Sequence, residues 1–174
     1  MIRIKLADQI VSKKTGEDYK VDMDFSKELG ESETITNVST SSVTPTGELT
    51  IVPVAGNTAV NVTLDAGKAP VAFTAYDSTN IFTSASHGLS NGHTVHLVAD
   101  ECDSLPGGFD SETQYYVINT ATNTFQLSLI SGGTAASVSS GGQGYVGVDY
   151  LISVTVVTSN SQLITGEGWC YIRT

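Results

Sequence analysis

Tyr150-Leu151-Ile152-Ser153-Val154-Thr155-Val156 (150–156) is the stretch that decides the fold. Tyr150, Ile152, Val154 and Val156 take every second position, and Ser153 and Thr155 lie between them. A period of two marks a strand with one face in a core. The same period recurs outward along the chain. Phe125, Leu127 and Leu129 alternate with Gln126 and Ser128; Val60, Val62 and Leu64 alternate with Asn61 and Thr63; Tyr19, Val21, Met23 and Phe25 alternate with charged residues. Trp169-Cys170-Tyr171-Ile172 reads as a closing strand. Near the start, Ile2, Ile4 and Leu6 alternate, predicting a strand that pairs in its own sheet or extends to a neighbour. Turn signals punctuate the runs: Pro45-Thr46-Gly47, Gly56-Asn57, Asn91-Gly92, Pro106-Gly107-Gly108, Gly132-Gly133 and Gly141-Gly142. Short strands separated this way predict an all-β sandwich or small barrel. Only Asp24–Leu29 carries helix signals, with Asp24 as cap and Gly30 as stop, enough for a single turn.

Composition agrees. Charged residues make up 15% of the 174-residue chain, against about 25% in typical globular proteins. Thr and Val, which favour strands, and Gly, Asn and Ser, which favour turns, take their place. Eight basic residues stand against eighteen acidic ones, for a net charge of −10. Nucleic-acid binding draws on Lys and Arg to neutralise phosphates, and an anionic membrane surface attracts the same residues, so neither partner is expected. Cys102 and Cys170 are far apart and form no CxxC pair, so both read as thiols, partly buried. MIRIKLADQIVSKK (1–14) lacks the apolar run of a signal peptide, and no stretch approaches the ~20 apolar residues of a span. Synthesis in a cytoplasm, with no membrane needed, is the expectation.

Charge is unevenly spread. Val71 to Gly144 holds no Lys or Arg, all three histidines, and Asp77, Asp100, Glu101, Asp103, Asp110 and Glu112. Such asymmetry predicts two units. Ala69-Pro70 and the Gly-rich 141–144 stretch flank the inner one and read as hinges. Residues 1–70 supply about five strands and 145–174 two or three more, reaching the roughly seven of an immunoglobulin-like sandwich. The expected architecture is that sandwich, 1–70 plus 145–174, interrupted by a small β-barrel-like domain at 71–144. An insert is tolerated where its two ends lie close together.

The chemistry-bearing residues give no catalytic constellation. His93 and His96, three apart on a strand, face opposite sides and do not share an ion; no Cys or carboxylate near His87, His93 or His96 has zinc spacing. Asp100, Glu101, Asp103 and Asp110 lack the alternating loop that gathers oxygens around calcium. There is no P-loop. Gly141-Gly142-Gln143-Gly144 has no helix after it to make a phosphate cradle. No catalytic residue, metal or cofactor is therefore expected. Tyr115 and Tyr116 point to opposite faces of one strand, and Tyr115, Tyr116, Trp169 and Tyr171 are the candidate interface residues, since an exposed aromatic makes a good anchor. The same four are the only candidates for a carbohydrate-binding face.

Two resemblances sharpen the expectation. SHGLSNGHTVHL (86–97), LPGGFDSETQYYVINTATNTFQLSL (105–129) and the SGG step at 131–133 resemble a β-module of phage tail and fibre proteins, similar to the first catalytic cysteine half-domain of ubiquitin-activating enzymes but without catalysis. His93 stands where that pattern usually has Asp. EDYKVDMDFSKELGESETI (17–35) and VDYLISVTVVTSNSQLITGEGWCYIRT (148–174) resemble the opening and last hairpin of small phage fibre–tail adaptors, with Asn160-Ser161 in place of the usual Gly-rich turn. The resemblance implies a non-enzymatic virion component at the neck or tail, linking to fibres or neighbouring subunits. Its partners are then other virion proteins, and it is present in multiple copies in a symmetric assembly. A capsid decoration or head-fibre protein, and a carbohydrate-binding module on the particle surface, are the alternatives.

Overall fold

The computed structural model describes residues 2–5, 11–14, 19–77, 79–100 and 103–173. These residues are all-β, without a helix. Six strands come first: β1 (Ile2–Lys5), β2 (Val11–Lys14), β3 (Tyr19–Asp24), β4 (Ile35–Thr44), β5 (Leu49–Ala55) and β6 (Ala59–Ala66). Five short strands follow: β7 (Val71–Ala75), β8 (Phe82–Thr83), β9 (Thr94–Val98), β10 (Tyr115–Ile118) and β11 (Thr124–Ser128). Two long strands finish the chain, β12 (Gly142–Thr158) and β13 (Leu163–Arg173). The chain divides into two compact units, residues 1–68 with 150–173 and residues 69–149.

The first unit is a two-sheet sandwich. One sheet has the order β3-β6-β5. In the other, β13 pairs with β12, β12 pairs with β4, and β1 and β2 both run parallel to β13. In immunoglobulin letters the sheets are B-E-D and C-F-G, with the first strands laid along G. The alternation read from sequence explains the core. Val60, Val62 and Leu64 of β6 are buried, as are Tyr150, Ile152, Val154 and Val156 of β12 and Ile164, Cys170 and Ile172 of β13. Thr155 departs from simple alternation: it too is buried, and its hydroxyl shares a 2.8 Å hydrogen bond with buried Thr165. A buried hydroxyl needs such a partner. Asp24–Leu29 forms a turn rather than a helix; Glu28 and Leu29 N–H both donate to Phe25 O, and Asp24 Oδ1 accepts from Ser26 N–H at 2.8 Å.

The second unit is a closed barrel. Its strands run β7-β8-β11-β10-β9, and the first half of β12 pairs with both ends of that series. Residues 142–146 pair with β7 and residues 145–148 pair with β9. Closure removes the edges that a five-strand sheet would expose. The interior is aromatic. Phe82 lies 5.1 Å from Phe73 and from Phe109, both edge-on, and stacks on Phe125 at 5.3 Å. Offset and edge-to-face pairs of this kind add about 0.5–1.5 kcal/mol each beyond the area they bury.

The sequence expectation placed the second junction at 144/145; it falls at 149/150 because residues 145–148 are hydrogen-bonded to β9. The same pairing corrects the reading of the Gly-rich stretch. Gly142 to Gly144 are not a hinge but the first residues of a paired strand. Their glycines allow close packing: a Cβ on Gly144 would collide with the Val98 carbonyl oxygen, and one on Gly142 with the backbone at Leu105–Pro106. Glycine inside a strand commonly marks such an approach.

One buried carboxylate secures the sandwich. Glu33 accepts a 2.8 Å hydrogen bond from Gly30 N–H and a short one from the Thr158 hydroxyl, tying the turn before β4 to the end of β12. The Thr158 hydroxyl, then the Gly30 N–H, favour the charged form and hold this carboxyl below its ordinary value of 4.5. A lowered carboxylate stabilises the fold above its unfolded value, and the contribution is lost as pH falls through the folded one.

Two expectations follow for stability. Glu33→Gln melts below the native chain at neutral pH, and the gap closes as pH is lowered past 4.5; a constant gap in thermal melts across that range contradicts the account. Gly144→Ala costs about 1–3 kcal/mol, the usual penalty of overpacking. Hydrogen exchange should speed up first in 94–98 and 142–148, the closing seam of the barrel.

Candidate functional site: one end of the barrel

The antiparallel registers gather six strand termini at one end of the barrel. These are the ends of β7, β9 and β11 and the starts of β8, β10 and β12. The connections there are residues 76–81, 99–114 and 129–141. The first and third are tied together, since Asn80 Oδ1 accepts from Val138 N–H at 2.9 Å. Every carboxylate between Val71 and Gly144 belongs to these connections: Asp77, Asp100, Asp103, Asp110 and Glu112, with Glu101 outside the described residues. The connections at the other end, 84–93 and 119–123, carry none.

The same end exposes large apolar side chains. Ile130 is 71% exposed, Tyr76 65%, Leu129 61% and Ile81 39%. Scattered surface hydrophobes are ordinary, but several gathered in one place mark an interaction surface. Sequence reasoning placed Leu129 on a buried face, as the third member of the Phe125, Leu127, Leu129 series. The structure overturns that. The Ser128 hydroxyl accepts from Ile130 N–H and donates to Ile130 O, so the chain turns immediately after Ser128 and carries Leu129 outward. The hint was present in the sequence: Leu129-Ile130 runs straight into Ser131-Gly132-Gly133, where a strand is not expected to continue.

Local chemistry fixes the surrounding loops. Asp110 Oδ1 accepts from the backbone N–H of Glu112 and of Thr113 at 2.9 and 2.7 Å, and its Oδ2 accepts from the Thr113 hydroxyl at 3.0 Å. The Thr113 hydroxyl is the main cause that keeps this carboxyl below the ordinary aspartate range. Asp110 therefore stays charged while organising its own turn, and it is not set up as an ion ligand. Asp103 N–H donates to Asp100 O at 3.0 Å.

The histidines have structural partners. His87 is buried at the opposite end of the barrel, where its Nε2–H faces Ala121 O at 2.8 Å and Thr124 O at 3.2 Å. Carbonyl oxygens only accept, so Nε2 carries the proton, and Nδ1 accepts from Leu89 N–H at 3.0 Å. Its ring packs edge-on against Phe125 at 5.1 Å. His93 N–H closes the Asn91-Gly92 turn on Ser90 O. His96 and Asp149 form a strongly polar pair in the barrel wall, with Nδ1 2.7 Å from Oδ1 and both side chains buried. Gln114 Nε2 donates to the other carboxylate oxygen at 3.0 Å. This row runs from Gln114, just before β10, across β9 to β12. Among the described residues no group of three or more His, Cys, Asp or Glu side chains is placed to hold a metal ion.

The four aromatic candidates do not form one surface. Tyr115 is in the barrel core, 5.2 Å from Phe109, and its hydroxyl accepts from Asp110 N–H. A buried ring is not an anchor, so Tyr115 is withdrawn from the candidate interface. Tyr116, on the other face of β10, is half-buried. Trp169, half-buried, and Tyr171 stand on β13 in the sandwich; the Tyr171 side chain lies outside the described residues. Cys170 between them is buried and in no disulfide, and Cys102 lies outside the described residues. No family model matches the chain, and no curated protein or solved structure does either.

Asp149→Ala leaves the His96 Nδ1–H and the Gln114 amide without their acceptor. Each buried donor so stranded costs about 1–3 kcal/mol. Denaturant unfolding should show a loss in that range, and Asp149→Asn, which keeps one acceptor oxygen, a smaller one; equal losses for the two variants contradict this role.

Proposed function

We propose that the chain is a non-enzymatic structural component of a tailed-phage virion, an adaptor that docks on the neck or tail and links to fibres or neighbouring subunits. The observation that carries the reading is an immunoglobulin-like sandwich interrupted, between its E and F strands, by a barrel that ends in an exposed apolar and acidic surface. Several polar side chains have tasks in the fold. His87 fastens loops, His96 and Asp149 pin strands, and Asp110 and Glu33 cap turns. What is left over is surface, which is what a docking protein needs. The motif residues behind the phage-module resemblance also have concrete tasks: His87 and Leu89 hold a loop, Tyr115 and Phe125 fill the core, and Ser128 makes the outward turn. In a particle, repeated copies gain avidity through many modest contacts.

Immunogold electron microscopy on purified particles of the source virus, with antibody against this chain, tests the assignment. Label at the neck or tail supports the adaptor. Label spread over the capsid replaces it with capsid decoration, and accessible antigen with no label on particles removes the virion role.

A further inference from the structure

We infer that β4 of one copy pairs antiparallel with β4 of a second copy, so that two sandwiches share one continuous sheet. This contact joins copies of the chain to each other and is independent of where on a particle they sit.

Among the described residues, β1, β2, β3, β4 and β5 each pair with a single strand. A strand so placed offers unpaired N–H and C=O groups along one side, and natural edges carry guards against pairing there: charged residues, proline or bulges. Four of these five carry a charge or a proline. Strand β1 holds Arg3 and Lys5, β2 holds Lys13 and Lys14, and β3 holds Lys20, Asp22 and Asp24. Strand β5 holds Pro53 at mid-strand, which has no N–H to offer.

Strand β4 is the exception. Its ten residues, ITNVSTSSVT, include no charge and no proline. Its first half is guarded by irregularity, because the register with β12 steps over Thr36 and Ser39. From Thr40 to Thr44 the register is unbroken, each residue facing its own partner from Thr155 back to Leu151. Within that segment Thr40, Ser41, Ser42 and Thr44 are exposed, and Val43 is buried in the sandwich. The segment is thus regular, uncharged and accessible, with β12 on one side and no described strand on the other.

A second copy suits this edge. Two copies of net charge −10 repel at a distance, but Thr40 to Thr44 bring no like charges face to face at contact. Antiparallel pairing about a twofold axis at Ser42 sets Ser42 opposite its own counterpart and Thr40 opposite Thr44. Alternation along a strand puts these three residues on one face. The seam is then a row of Thr–Thr and Ser–Ser neighbours, which belong to the cross-strand pairs that stabilise sheets. A charged strand would find no countercharge on this segment. Because the same patch is used twice, the contact is isologous and closes at the dimer. So short a seam sits at the small end of protein interfaces, so the dimer is expected at high concentration.

Sedimentation velocity on the full chain, from micromolar to millimolar, provides the test. Monomer should give way to dimer and to nothing larger. Raising the salt should preserve or strengthen the dimer, because screening weakens the repulsion between like-charged copies. Ser42→Lys and Ser42→Glu should each stay monomeric, since each sets like charges opposite one another on the axis. Mixed in equal amounts, the two variants should recover the dimer. Thermal melts check that both are folded. Hydrogen exchange on the native chain needs no variant: amides within 40–44 should exchange more slowly at millimolar than at micromolar concentration. Four results overturn the inference: a native chain that is monomeric throughout, exchange in 40–44 that ignores concentration, a dimer that both variants leave intact, or one that both abolish without recovery on mixing. Each leaves the particle-labelling result untouched, so the two readings fail separately.

Discussion

One strand has to satisfy two sets of partners, and the fold follows from how it does so. β12 is 17 residues long. Its first half bonds to β7 on one side and to β9 on the other, closing the barrel; its second half bonds to β4 and β13 in the sandwich. The two halves need different residues. At Gly142 and Gly144 neighbouring backbone comes too close for any side chain, and glycine is the answer. From Val146 onward every second residue fills a core, and the sequence becomes Val, Val, Tyr, Ile, Val, Val at alternate positions. Two register irregularities in its pairing with β4, at Thr155/Val156 and Val157/Thr158, adjust the strand before its final hairpin. Bulges of this kind are how a long strand increases its twist.

The sequence made the all-β class legible because period-two burial is a local property. Tyr150 to Val156 alternate whatever the rest of the chain does, and the same holds for Val60 to Leu64. What stayed illegible depended on partners far away in the chain. Gly141 to Gly144 look like any glycine-rich joint until the Val98 carbonyl and the Leu105–Pro106 backbone are placed against them. The same long-range pairing moved the unit boundary past residue 144, since nothing near Tyr145 says that it will lie opposite Val98. Leu129 was misjudged for a different reason: alternation predicts its face only while the strand lasts, and a serine hydroxyl ends the strand one residue earlier.

The candidate surface was legible in half. The acidic bias of 71–144 and the absence of lysine and arginine are plain in the sequence. That the described carboxylates among them lie in connections at one barrel end, beside Tyr76 and Ile130, is a product of strand order. The tyrosine pair shows the opposite failing. Residue type drew attention to Tyr115, whereas its hydroxyl proves to be a core group that braces the Asp110 turn. Aromatic character identifies an anchor only once burial is known.

The junction between the units also bears on the order in which the chain organises itself. Strand β6 and the second half of β12 belong to the same sandwich but are separated in sequence by the whole of the barrel. Closing so long a loop carries an entropic cost that must be met before any contact repays it, and contacts distant in sequence slow folding. Val71 and Val146, however, are paired neighbours in the barrel, and paired strands are only about 5 Å apart. Once the barrel has formed, the long excursion acts as a tight connection, and a contact that was remote along the chain becomes a local one. A barrel that closed first would act as a clasp for its host, shortening the loop that the sandwich has to close.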